Sequence, residues 1–278
     1  MQPLLEVRDI SFQYPGSLIL DKVKFDLNAG EVVCLLGPNG CGKTTLLDCI
    51  LGWLKPCEGQ VFVNGQELTN MPARKIARYL AYVPQIHEKT FPYLVRDVVL
   101  MGRASYLGPF ERPSDEDRKI ADRALEMVGI AHLKKRPYTQ LSGGEGQLVM
   151  VARALAQNTP VIVMDEPTAH LDCKHEIIVL ETIAELIKKT HLSVLMATHV
   201  PNHCYYFENK GIPIRAALIK NRSIMAMGQP SEVLTEENLG RLYNIHTRVI
   251  DCNMGNGVII KQVVSIGTLP TISAGQGG

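Results

Sequence analysis

The chain has 278 residues, 46% of them hydrophobic and 21% charged, which suits a globular protein with one large α/β domain or a core carrying one inserted subdomain. Lys+Arg of 29 against Asp+Glu of 28 leaves a net charge of +1, so no global basic or acidic field points to nucleic acid or to an acidic membrane surface. Seven cysteines without a C-x-x-C pair fit reduced thiols and argue against a disulfide framework or a paired-cysteine metal site.

The first residues, Met1-Gln2-Pro3-Leu4-Leu5-Glu6, show no basic segment followed by a long apolar one, so no signal peptide is expected. No apolar run approaches the roughly 20 residues needed to cross a bilayer. Any membrane part of this protein's work is expected to come from another chain. Residues 4–12 and 18–27 alternate as strands around a turn at Pro15-Gly16. Residues 32–36, Val-Val-Cys-Leu-Leu, form a short continuous apolar run that reads as a buried parallel strand.

Gly37-Pro38-Asn39-Gly40-Cys41-Gly42-Lys43-Thr44 follows, a complete G-x-x-x-x-G-K-[ST] phosphate-binding loop. Its glycines let successive N–H groups face inward around an anion. Lys43 adds a point charge for the outer phosphates, and the Thr44 hydroxyl suits a Mg²⁺ shell. Thr45 continues into a helix predicted over 43–53, whose N-terminus would hold phosphate. The strand, loop and helix together predict binding of a nucleoside triphosphate.

Downstream, residues 56–59 read as a turn, 60–63 as a strand entering a hairpin turn at Asn64-Gly65, and 80–84 as another strand. Between about 87 and 158 the pattern is helical. Ser114 with Asp117 forms a capping box, and Ile120, Ala124, Leu125 and Val128 share one helical face. Leu141-Ser142-Gly143-Gly144-Glu145 opens the helical run 147–156. It reads either as a second capping box or as a second place where helix N–H groups meet phosphate.

The apolar run 161–164 ends in Asp165 and Glu166. A carboxylate at such a strand tip is where phosphate-loop enzymes hold Mg²⁺, and a second one suits polarising a water. Residues 193–198 form a further strand, 216–220 and 223–226 a hairpin around Asn221-Arg222, and 239–243 a short helix. Residues 247–264 suggest a pair of strands, and 267–278 a Gly-, Ser-, Thr- and Pro-rich tail expected to fray. Taken singly, Tyr14 reads equally as an edge-strand aromatic, Gln85 as a loop polar residue, and His199 as a structural histidine.

In their order these motifs resemble the ATP-binding cassette ATPases, over roughly residues 4–235. The loop at 37–44 matches the family's Walker A, 141–145 its LSGGQ-type signature, and 161–166 its Walker B. Tyr14 stands where the family's aromatic stacks on adenine, and Gln85 at the Q-loop glutamine. Ala169-His170-Leu171-Asp172 is similar to the D-loop, and His199 matches the switch histidine. The resemblance implies an α/β P-loop NTPase core with a mainly parallel sheet, an N-terminal antiparallel β subdomain and an inserted α-helical subdomain. Residues 1–86 and 159–235 would be the core with its β subdomain, 87–158 the inserted signature part, and 236–278 a C-terminal extension.

The resemblance also implies ATP and Mg²⁺ as cofactors and a head-to-tail homodimer, with ATP between one chain's Walker A and the other's signature. Gly37, Pro38, Asn39, Gly40, Cys41, Gly42, Lys43, Thr44 and Thr45 would bind the phosphates, and Thr44, Gln85 and Asp165 would serve Mg²⁺. Glu166 would be the general base, His199 would steady the γ-phosphate and the water, and Ser142, Gly143, Gly144, Glu145 and Asp172 would face the partner's nucleotide. Departures lie at Glu145, where Gln is commoner, at Gly146 inside the first helical turn, and at Leu148, where Arg is frequent.

Residues 95–103 and Tyr106-Leu107-Gly108 resemble ATPases of metal-chelate importers, which take up iron–siderophore, haem or cobalamin. The wording 198–203, Thr-His-Val-Pro-Asn-His, is nearer the molybdate/tungstate branch. The implied partners are a multi-span permease and, indirectly, a substrate-binding protein, with the chain peripheral on the cytoplasmic face of the membrane. An exporter ATPase and a soluble non-transport cassette are the alternatives. The single cassette, the lack of heptads and the near-neutral charge weigh against the latter.

Overall fold

A computed structural model describes residues 2–85, 90–255 and 259–269. The expected 86/87 boundary and the tail beyond 269 lie outside the described residues.

Strand β1 (Leu5–Tyr14) pairs antiparallel with β2 (Ser17–Leu27), from Leu5↔Leu27 to Tyr14↔Ser17, around the Pro15-Gly16 turn. The first central strand, β3 (Val32–Leu36), leads through the phosphate loop into α1 (Lys43–Ile50). The helix is shorter than the 43–53 predicted. Gly52 takes a left-handed φ of 72°, and the N–H groups of Trp53 and Leu54 turn back to the Asp48 carbonyl. Strand β4 (Glu58–Val63) pairs with the other edge of β1, and β5 (Gln66–Glu67) closes a hairpin with β4 around Asn64-Gly65, φ 51° and 73°. Glu58 and Gly59, expected in a turn, belong to β4. A register shift between Arg8 and Ser11, with Asp9 at φ 48°, lets the pairing run on through Gly59.

A short α2 (Ala73–Ile76) precedes β6 (Leu80–Val83). The helical part then contains α3 (Val95–Leu100), α4 (Asp115–Met127) and α5 (Gly143–Ala156), packed on one another. Ser114 and Asp117 form the expected capping box at α4. Asp117 is also gripped by Arg103, Nε to Oδ1 2.9 Å, while Arg103 Nη1 donates to the Ala156 carbonyl. One buried guanidinium therefore ties α4 to the end of α5.

The remaining elements are β7 (Val161–Asp165), α6 (Cys173–Thr190), β8 (Ser193–Thr198), α7 (Asn202–Asn209), β9 (Ile214–Lys220), β10 (Ser223–Gly228), α8 (Pro230–Val233) and α9 (Glu236–Tyr243). A hairpin of β11 (Ile245–Asn253) and β12 (Ile259–Thr268) follows, longer than the pair expected within 247–264. Among the described residues no helix is long and apolar enough to cross a membrane.

The central sheet runs β10-β9-β3-β8-β7-β6, parallel throughout except for β10. Its central strands β3, β7 and β8 are buried on both faces, as continuous apolar runs require. In β3, Val32, Cys34 and Leu36 enter the core beneath the helices, while Val33 and Leu35 enter the core shared with the antiparallel sheet. Each fully buried Leu contributes about 1.5–3 kcal/mol. Because the strands are parallel, their C-terminal ends open on one edge, where ligands of such sheets bind.

Candidate active site

Along that edge, β3 leads to the phosphate loop, β6 to Gln85, β7 to Asp165-Glu166 and β8 to His199. Gly40 and Gly42 take left-handed φ values of 79° and 101°. At Gly37 a Cβ would meet Cys41 Sγ at 2.5 Å and the Ile219 carbonyl oxygen at 2.7 Å, so only glycine fits. Gly42 caps α1 without any side-chain hydrogen bond, which leaves the first-turn N–H groups of an eight-residue helix available to an anion.

Lys43 is buried, and its Nζ donates to the carbonyls of Gly37 (2.8 Å) and Pro38 (3.2 Å) while lying 3.6 Å from Glu166 Oε1. Thr44 Oγ1 donates to Asp165 Oδ2 over 2.9 Å. Asp165 Oδ1 is buried with no hydrogen-bond partner, and burial pushes this carboxyl above its ordinary range, against the Thr44 hydrogen bond. An unpartnered carboxylate oxygen beside a hydroxyl is a hard oxygen set that fits Mg²⁺. Among the described residues no group of three or more His, Cys, Asp or Glu gathers to cage an ion.

Glu166 is the hub. Gln85 Nε2 donates to its Oε2 over 3.1 Å, and His199 Nδ1 lies 3.0 Å from the same oxygen. Its backbone sits at φ 44°, a left-handed conformation that costs about 1–3 kcal/mol for a non-glycine residue. The conformation is held because Glu166 N–H donates to the Ala197 carbonyl and its own carbonyl accepts from Ala169 N–H. A cavity of about 360 Å³ is bounded by Asn39, Gly40, Gly42, Lys43, Thr44, Thr45, Gln85 and Glu166. A second, of about 340 Å³, shares Asn39, Gln85 and Glu166 and extends to His170 and His199.

Cys41 is partly buried, and burial raises its thiol, opposed by Lys43. Tyr14 stands apart at the end of β1, 46% exposed and edge-on to Phe12. Ser142, Gly143, Gly144 and Glu145 form the start of α5 and line neither cavity. Ser142 Oγ accepts the Glu145 N–H and Glu145 Oε2 accepts the Ser142 N–H, so the capping box survives the Gln-to-Glu departure. The Ser142 N–H holds the Glu145 carboxyl below its ordinary range. Leu148, where Arg is frequent, is buried. Asp172 caps α6 by accepting the His175 N–H, and its carboxylate also meets His175 Nδ1 at 2.8 Å. The His175 ring lies against Gly144, where a Cβ would collide with it.

Ile19, which lines the first cavity from β2, carried no signal in its strand pattern. His203 was legible only as part of a stretch of wording. Its Nδ1 lies 2.9 Å from Thr198 Oγ1 and its Nε2 2.7 Å from Glu176 Oε1, which locks the start of α7 behind His199.

The ABC transporter family matches residues 20–169. The molybdate import ATP-binding protein MolC of Haemophilus influenzae is 35% identical over 246 residues, 88% of this chain and 90% of MolC. The iron(3+)-hydroxamate import ATP-binding protein FhuC of Bacillus subtilis is 32% identical, over 88% of this chain and 90% of its own length. A solved structure of an inward-facing metal-chelate type ABC transporter superposes with a TM-score of 0.83 at 32% identity, covering 96% of this chain and 98% of that one.

Proposed function

The chain belongs to the ABC transporter family, and from that premise we propose that it is the ATP-hydrolysing subunit of an importer for iron–siderophore, cobalamin or a related metal chelate. The observation that carries the catalytic part is the convergence of Lys43, Gln85 and His199 on Glu166 at the open edge of the sheet.

In this function the 37–45 backbone and Lys43 hold the β- and γ-phosphates, and Tyr14 stacks on adenine. Thr44, Asp165 and Gln85 would hold Mg²⁺, which when bound supplies charge neutralisation to the phosphates. Glu166 accepts a proton from the attacking water, and His199 steadies that water and the γ-phosphate. Positioning and charge stabilisation are what phosphoryl transfer to water requires. Ser142, Gly143, Gly144 and Glu145, with Asp172, serve the nucleotide of a second copy in a head-to-tail dimer. None of them lines the cavity at this chain's own phosphate loop, which favours that division of labour. Residues 87–158 act as the inserted unit that carries the signature, and the chain sits peripherally on the cytoplasmic face against a multi-span permease. A substrate-binding protein is reached only through that permease.

A molybdate or tungstate importer is the second reading, favoured by the wording of residues 198–203 and by the likeness to MolC. Affinity capture of the tagged chain from detergent-solubilised native membranes tests the role. A co-purifying multi-span permease is expected, and its binding protein can then be screened with iron chelates, corrinoids and oxyanions. Soluble partners alone would defeat the transport assignment.

A further inference from the structure

The C-terminal extension closes on the segment that carries His199. Tyr243, the last residue of α9, donates its hydroxyl to the His199 backbone carbonyl over 3.1 Å. Asn202, the first residue of α7, exchanges two hydrogen bonds with the Val263 backbone in β12. Its Nδ2 donates to the Val263 carbonyl at 3.2 Å, and its Oδ1 accepts the Val263 N–H at 2.8 Å. Asn202 thereby takes the place of a paired strand residue beside β12. The extension is itself anchored, because Tyr243, Val249 and Val263 pack against the main core and Lys220 Nζ donates to the Arg241 carbonyl.

His199 needs such support. It lies on the loop after β8 with its side chain 47% exposed, and its ring has one described polar contact, with Glu166. Inside the loop, the Thr198 hydroxyl accepts the Val200 N–H at 3.1 Å. The bonds from Tyr243 and from the Val263 backbone hold this segment at the His199 carbonyl and at Asn202, three residues on. A catalytic geometry must be held to a fraction of an ångström, so backbone freedom at this loop would directly loosen the ring's approach to Glu166.

We propose that Tyr243 and Asn202 are positioning residues, through which the C-terminal extension sets His199 against Glu166. The assignment rests on the reading of His199 as the group that steadies the γ-phosphate and the water.

The test uses the full-length chain and compares His199→Ala, Tyr243→Phe and Asn202→Ala by steady-state ATP hydrolysis, nucleotide binding and thermal melting. His199→Ala examines the underlying reading by itself, and wild-type kcat in that variant would remove both the reading and this proposal. Tyr243→Phe keeps the ring and deletes one hydrogen bond. Its kcat is expected to fall about three- to ten-fold, the range of one net hydrogen bond, with KM for ATP unchanged and the melting temperature lowered by no more than the few degrees one hydrogen bond is worth. The His199 ring signals in the NMR spectrum, assigned by their loss in His199→Ala, are expected to shift with it. Unchanged kcat in both Tyr243→Phe and Asn202→Ala, while His199→Ala is impaired, would overturn the proposal. So would a rise in KM without a fall in kcat, or a loss of kcat accounted for by the fraction of protein unfolded at the assay temperature. Should Tyr243→Phe fail to fold, Asn202→Ala is judged by the same criteria.

Discussion

His199 and Glu166 lie 33 residues apart in the chain, and their side chains meet at 3.0 Å, His199 Nδ1 on Glu166 Oε2. Gln85 reaches the same oxygen from a third loop. One carboxylate thus reports on two neighbouring strand ends and, through Lys43, on the phosphate loop. A water held beside Glu166 would be positioned by all of them.

Replacing Glu166 with Gln preserves the shape of this hub and one acceptor oxygen for Gln85 and His199, while removing its basicity and its ion pair with Lys43. ATP binding is expected to persist and kcat to fall by at least about 100-fold, the usual effect of losing a general base. Phosphate release and equilibrium nucleotide binding measure the two quantities separately. Near-wild-type turnover would remove Glu166 as the base.

At the signature, Gly144 is held to glycine by the His175 ring, which Asp172 fixes through Nδ1. Gly144→Ala forces the helix start and the ring apart, at about 1–3 kcal/mol for such overpacking. Hydrolysis is expected to drop on the order of ten-fold with ATP affinity intact, and Gly144→Ala combined with His175→Ala should recover part of it. A Gly144→Ala protein that turns over normally would show that the contact does not constrain the signature.

Cys57 and Cys173 are exposed, whereas Cys41 is partly buried with its thiol raised, and so holds less thiolate at neutral pH. Alkylation should modify the two exposed cysteines first and Cys41 slowly. Once Cys41 is modified, ATP binding should be lost, because its sulfur lies within the phosphate loop beside Gly37. Peptide mass mapping alongside nucleotide titration follows both events. Full labelling of Cys41 with binding retained would contradict this.

Burial lowers His203 below its ordinary 6.5, opposed by Glu176, with smaller effects from His199 and Glu166. Below pH 6.5 the unfolded chain therefore binds a proton that the folded one resists. The stability from this residue is complete above that pH and drains away as pH falls toward the folded value. The melting temperature should decline as pH falls below about 6.5, and His203→Gln should flatten that decline. Asp117, held at about 2 by Ser114 and Arg103, acts in a separate window, losing its contribution only as pH falls below 3.8. Identical slopes in wild type and His203→Gln would exclude His203 as the source.

Features whose physics is local were legible in the chain alone. The phosphate loop between an apolar strand and a helix, the capping boxes at Ser114 and Ser142, and the Asn64-Gly65 turn each depend on residues within a few positions. Misjudged boundaries, such as the end of α1 and the start of β4, depended on backbone conformations at Gly52, Asp9 and Gly59 that residue type permits but does not impose.

What only the tertiary structure decided is which of these local pieces meet. The strand order β3-β8-β7-β6, with all four parallel, carries residues from positions 37, 85, 166 and 199 to one edge, and no spacing in the chain encodes that order. The same holds for the His175 ring behind Gly144 and for the hydrogen bonds of Tyr243 and Asn202 around the loop after β8. Side chains of ordinary type become specific there only through burial and approach to within hydrogen-bond distance. Those are properties of packing between distant segments, to which a linear pattern is blind.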